Sequence, residues 1–299
     1  MVESDQPIIW IKNPLDVFAE NCEGGVVVQG QKIIELVQMG QTPKATIDET
    51  YDASTSVLLP GLINTHHHFY QTLTRAYPEA LNKELFPWLK SLYKVWANIQ
   101  PEMLSVSTEL ALSELLLSGC TTASDHHYLF PDQLENAIDI QVEEAQKLEM
   151  RVVLTRGSMS LGEKDGGLPP QSVVQTKEQI LSDSERLIKT YHDANEGSMT
   201  QIALAPCSPF SVTTDLMIET AELAEQQNVR LHTHLAETID EENFCLEKFG
   251  LRTVDYLESV GWLSGRTWLA HGIHFNQEEI KKLGENHVGI CHCPTSNMM

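Results

Sequence analysis

From Leu58 onward the chain alternates short apolar runs with long amphipathic stretches, an order that few architectures accept. Strand-like runs lie near 56–63 (SVLLPGLI) and at 120–125 (CTTASD), 151–156 (RVVLTR), 202–206 (IALAP), 229–234 (VRLHTH), 267–271 (TWLAH) and 287–291 (HVGIC). Helical stretches fall between them. PEMLSVSTELALSELLLSG opens on Pro101 and closes on Gly119, TKEQILSDSERLIKTYH carries capping-box spacing from Thr176 to Gln179, and TTDLMIETAELAEQQN is amphipathic. Strand and helix in alternation predict a parallel sheet covered by helices. Such a series suits a (β/α)8 TIM-type barrel, usually about 250 residues, better than a doubly wound sheet. No G-x-G-x-x-G follows any of the runs, which weakens a nucleotide-binding alternative. Seven strands are visible before the final CPTSNMM, so over 58–299 either the barrel is truncated before strand 8 or the barrel reading is wrong. Residues 1–57 alternate β-prone runs with Gly, Asn and Asp. They read as a small β-sandwich-like domain.

Composition narrows the partners. With 42 acidic against 20 basic residues the formal charge is −22, which disfavours phosphate backbones and anionic lipid. A small neutral or weakly charged molecule fits better, because a short-range pocket can outweigh the global field, with no nucleic acid and no membrane as partner. MVESDQPIIW lacks Lys and Arg, and no apolar run approaches the roughly 18 residues of a span. A cytoplasmic protein is expected. Six scattered cysteines form no C-x-x-C pair, so they read as reduced thiols. The Gly- and Pro-rich loop 157–170 follows a strand and is expected over the active face.

Chemistry is concentrated where the strands end. In PGLINTHHHFYQ, His66 and His68 project to one side of an extended chain and His67 to the other. An H-x-H pair of this kind suits zinc or another borderline cation. In LHTHLAE, His232 and His234 again share a face, and Glu237 follows close enough to turn back over a bound ion. His271 ends the next strand, and Asp125 ends an earlier one. Surface histidines would scatter among loops and helices, whereas 66, 68, 234 and 271 all fall at ends that meet at one barrel mouth. Neither H-E-x-x-H nor H-x-E with P-C-x-x-C is present.

PGLINTHHHFYQTLTRA, GCTTASDHHYLFP, RGSMSLGEKDGGLPP, LAPCSPFSVT, HTHLAET and HCPTSNM together resemble the amidohydrolase superfamily, across essentially the whole chain. The resemblance is to its aminohydrolase branch of guanine, cytosine, adenosine-type and triazine hydrolases. Within the branch, the wording is most similar to the 8-oxoguanine deaminase and hydroxyatrazine ethylaminohydrolase groups. It implies one zinc per chain, with iron(II) as the alternative ion, held by His66, His68 and His234. It further implies Glu237 as proton shuttle and His271 near the attacking water. A strand-eight aspartate and C-terminal strands that complete the small β domain are expected of the family, and the sequence ends before both, so a barrel truncated before strand 8 is expected; a small heterocyclic substrate and a homo-oligomer are expected with it.

The implied reaction is hydrolytic deamination of a purine-type ring, 8-oxoguanine to urate plus ammonia, by hydroxide attack on the amino-bearing carbon. Alternatives are a hydroxyatrazine-type or other heterocycle aminohydrolase, a guanine deaminase, or a catalytically inactive metal-binding fragment. Gln71 offers a donor and an acceptor to a purine edge, Arg156 can bind a ring carbonyl, and Cys207 can line the pocket. Their bland readings are a loop amide, a surface ion pair and a buried thiol. His126 and His127 are read as packing or substrate-binding groups. Cys291 and Cys293 read as small hydrophobes, and Trp88, Tyr93 and Trp96 as a helix face over the mouth.

Overall fold

The computed structural model describes residues 6–298. The chain divides into two compact units, Met1–Leu62 and Ile63–Met299. The first carries strands β1 (Ile8–Lys12), β2 (Asp16–Val17), β3 (Gly25–Gln29), β4 (Lys32–Val37), β5 (Glu49–Asp52) and β6 (Val57–Leu58). Its sheet has the order β4-β3-β1-β5, and β2 pairs separately with β6. The continuous strand expected over 56–63 is corrected. Leu59 and Pro60 separate β6 from β7 (Leu62–Asn64), because a proline has no N–H to offer a ladder.

The second unit continues with α1 (Leu85–Trp96), α2 (Pro101–Leu117), β8 (Cys120–His127), α3 (Ala137–Lys147), β9 (Arg151–Ser158) and α4 (Lys177–Tyr191). After these come β10 (Thr200–Pro206), α5 (Thr214–Gln226), β11 (Leu231–Leu235), α6 (Ile239–Phe249) and α7 (Thr253–Ser259). Last are β12 (Thr267–His271), α8 (Gln277–Glu285), β13 (Gly289–Cys291) and α9 (Pro294–Asn297). One seven-stranded sheet runs in chain order, β7 through β13, and the pairs from β8 to β13 are parallel. This is the α/β architecture expected of a (β/α) barrel. The sheet curls: the Trp268 indole N–H on β12 donates to the Thr65 carbonyl just beyond β7 at 3.0 Å, although four strands lie between β12 and β7 in the order.

Local chemistry explains the helix ends. Pro101 occupies the first turn of α2, where its missing N–H is not needed. Gly119 follows that helix with φ +86°, a left-handed conformation glycine adopts without penalty. Thr176 and Gln179 form the full reciprocal capping box of α4. The loop after β9 holds single 3-10 turns at Glu163–Asp165 and Gln171–Val173.

Register sorts the sheet into two faces. Val152, Leu154, Ile202, Leu204, Leu231, Leu235 and Leu269 share one parity, and all are buried in the core with Ile180, Leu187, Leu216 and Leu223 of the helices. The opposite parity places His126, His232 and His234 on the concave side. Among the described residues no helix is long and apolar enough to cross a membrane.

Candidate metal centre

Six imidazoles converge inside the curl. Ring centroids of His66 lie 4.7 Å from His68, 4.9 Å from His234, 5.0 Å from His232, 5.7 Å from His126 and 5.6 Å from His271. Two triplets, His66 with His234 and His271, and His66 with His126 and His232, each have ring nitrogens within 4.8 Å of one another. His68 joins through its Nε2, 3.2 Å from His234 Nε2.

The hydrogen bonds settle which nitrogens carry lone pairs, because a carbonyl oxygen only accepts. His68 Nδ1 donates to the His126 carbonyl at 2.8 Å, His234 Nδ1 to Cys207 at 2.7 Å, and His232 Nδ1 to Trp268 at 2.8 Å. Each Nε2 is then an acceptor in the neutral ring. His232 Nε2 receives the proton of His66 Nδ1 at 2.8 Å, which leaves His66 Nε2 with a lone pair as well. Burial first, and then their mutual proximity, pushes the basicity of His66 and His234 well below the ordinary range. His68 and His232 fall to about 3, again chiefly through burial. The rings are therefore neutral.

That assignment exposes a conflict that a cation resolves. The Nε2 lone pairs of His68 and His234 face each other at 3.2 Å with no proton between them. A borderline cation accepts both, and ligating imidazoles typically donate their second N–H to a carbonyl, as these two do. The donor set fits zinc. His126 differs: its Nε2 donates to the Ala205 carbonyl at 3.0 Å, and its Nδ1 is buried without a partner.

His271 arrives by another route. Register pairs it with Leu235, on the helix-covered parity, yet its φ of +76° turns the ring onto the imidazole cluster, 5.5 Å from His234. Its Nδ1 donates to Asn297 Oδ1 at 3.1 Å, and its Nε2 lies 3.5 Å from Glu237 Oε2. Burial, reinforced by the charge of Glu241, raises the Glu237 carboxyl to about 8.

The other expected residues divide. Cys207 is buried with Sγ 3.9 Å from His234 Nδ1, and burial pushes its thiol up to about 12. Gln71 lies in the 3-10 turn after His68 and donates to the Tyr70 hydroxyl at 3.3 Å. Arg156 is not brought to the cluster. It pairs in register with His127 on the helix-covered face, and its guanidinium donates to Asp183, the Gly157 carbonyl and Gln175 while stacking over Phe130. Three of its donors are engaged there, away from the imidazoles. Asp125 shares that face and accepts from Gln141 Nε2 and the Phe69 amide, each at 2.6 Å. His127 also turns away, onto the Leu129 carbonyl. Trp96 and Tyr93 are core residues, with Trp96 packed on Tyr70.

Residues 57–299 match the model of the amidohydrolase family. The chain belongs to that family. Among its relatives, an 8-oxoguanine deaminase of Pseudomonas aeruginosa is 64% identical over 97% of this chain and 65% of its own. A hydroxydechloroatrazine ethylaminohydrolase of Pseudomonas sp. strain ADP is 34% identical over 79% of this chain and 49% of its own. Among solved amidohydrolase structures, a triazine hydrolase from Arthrobacter aurescens superposes with TM-score 0.91 at 29% identity, over 98% of this chain and 67% of that one. An atrazine chlorohydrolase from Arthrobacter aurescens TC1 complexed with zinc gives TM-score 0.89 at 29% identity, over 97% and 67%. The chain thus spans about two thirds of the first relative's length and about half of the second's.

Proposed function

We propose that the chain is a zinc-dependent aminohydrolase that converts 8-oxoguanine and water to urate and ammonia. The observation that carries the reading is the pair of opposed Nε2 lone pairs on His68 and His234, each fixed by a carbonyl behind it. His66, His68 and His234 would hold one zinc. When bound, zinc acts as a Lewis acid that brings the pKa of water from 15.7 to about 7. His271, its ring oriented by Asn297, directs the attacking oxygen toward the amino-bearing carbon. Glu237 takes one proton of the water and delivers it to the ring nitrogen beside that carbon; it then takes the proton of the new hydroxyl and hands it to the departing amine, so that the ring carbonyl forms as the C–N bond breaks. Cys207 and Tyr70, beside His234 and His68, form one wall of the substrate space. The 64% identity to an 8-oxoguanine deaminase supports the choice of ring.

Ammonia release from 8-oxoguanine, guanine and hydroxytriazines by the zinc-loaded chain tests the reading. The expected result is turnover of 8-oxoguanine with urate as product. Turnover of hydroxytriazines alone would transfer the assignment to the heterocycle class of the 34% relative. Zinc near one per chain with no turnover of any substrate would overturn it in favour of a metal-binding fragment.

A further inference from the structure

We infer that Glu241 is a positioning residue that holds the Glu237 backbone in place for proton transfer; this rests on the reading of Glu237 given above. Glu241 stands in the first turn of α6, three residues after Thr238, whose hydroxyl accepts from the Glu241 amide at 3.4 Å. In an ordinary capping box the glutamate would return to the amide of the cap residue itself. Here Glu241 Oε2 reaches one residue further back and accepts from the Glu237 amide at 2.9 Å. The carboxylate is fully buried, and its Oε1 has no partner. Burial at that cost exceeds what a helix cap requires, since caps work equally well in solvent.

What the carboxylate secures is a strained turn. Ala236 has φ +51°, a left-handed conformation that a residue with a Cβ adopts only at a cost. The Ala236 carbonyl accepts from the amides of Ile273 at 2.9 Å and His274 at 3.1 Å, and the Leu235 carbonyl accepts from Gly272 at 3.0 Å. The turn that presents Glu237 is therefore stitched to the turn that presents His271. Glu241 anchors the first of them from behind. Without that anchor the Glu237 amide loses its partner, and the side chain loses its fixed approach to His271.

Reach and charge are separated by two substitutions in the zinc-loaded full chain. Glu241→Gln keeps an acceptor oxygen at the same reach, and Glu241→Asp keeps the charge but falls one methylene short. The readouts are kcat and KM for ammonia release, zinc content, and hydrogen exchange of the Glu237 amide. Displacement on the scale of an ångström can cost ~10²-fold in rate. Glu241→Asp is expected to lose about that factor in kcat, with KM and zinc content unchanged and faster exchange at Glu237. Glu241→Gln is expected to keep the parent's exchange at Glu237 and to lose far less kcat than the Asp variant, what it does lose coming from the charge that no longer acts on Glu237. The reverse order, or an Asp variant with normal kcat and exchange, overturns the inference. Loss of kcat, KM and zinc together in both variants also overturns it, as a purely structural role would. If Glu237→Gln still turns over, the reading of Glu237 fails, and the exchange data alone decide whether Glu241 holds the turn.

Discussion

The two faces of the curled sheet bury polar groups in opposite ways. On the helix-covered face, Arg156 is 1% exposed and closes a complete set: Asp183, the Gly157 carbonyl, Gln175 and the Phe130 ring answer its charge and its donors. On the concave face, six imidazoles are packed together, the Nε2 lone pairs of His68 and His234 are turned toward each other, and His126 Nδ1 has no partner. A buried polar group that is satisfied from within the fold stabilises structure. Single unpartnered atoms occur on the helix-covered face too, His127 Nδ1 and Gln141 Oε1 among them; what sets the concave face apart is two lone pairs forced together on His68 and His234, an arrangement that a cation satisfies.

The largest expected effect breaks the concave face. Replacing both His66 and His68 by Ala should drop zinc content to background and abolish turnover, measured by elemental analysis and ammonia release. Unchanged zinc would move the site elsewhere. Next, Glu237→Gln should lower kcat by ~10²–10⁴-fold with zinc retained, since a lost proton-transfer group costs about that much. The helix-covered face should answer differently. Arg156→Met removes a buried cation, leaves Asp183 with Arg186 alone and should destabilise the fold by ~1–3 kcal/mol in a denaturant titration, while KM of the folded enzyme stays unchanged. A raised KM with normal stability would return Arg156 to the substrate. The smallest effect is expected at Thr176→Ala, which removes the α4 cap and should cost ~1 kcal/mol with neither zinc nor kcat altered.

How much of this was legible in the sequence depends on what each residue's position requires. Alternation of strand and helix, and the H-x-H parity of His66 and His68, are properties of short segments, so the sheet and the first donor pair could be read directly. Arg156 could not. Its strand was expected to end at 156, where either face is open, but β9 runs on to Ser158 and its register with His127 fixes the outward face. His126 was read as packing or substrate-binding; β8 continues through it to His127 and delivers its ring to the cluster. His271 lies on the wrong parity and reaches the cluster through a left-handed backbone that no pattern announces. Glu241 is invisible for a similar reason. A glutamate in the first turn of a helix looks like an ordinary cap, and only its burial and its bond to the Glu237 amide distinguish it.

Zinc X-ray absorption on the loaded chain tests the central claim most directly. Three imidazole nitrogens at about 2.0–2.1 Å, with no sulfur shell, are predicted from His66, His68 and His234. A sulfur shell near about 2.3 Å would place the ion on cysteine thiolates and contradict the account.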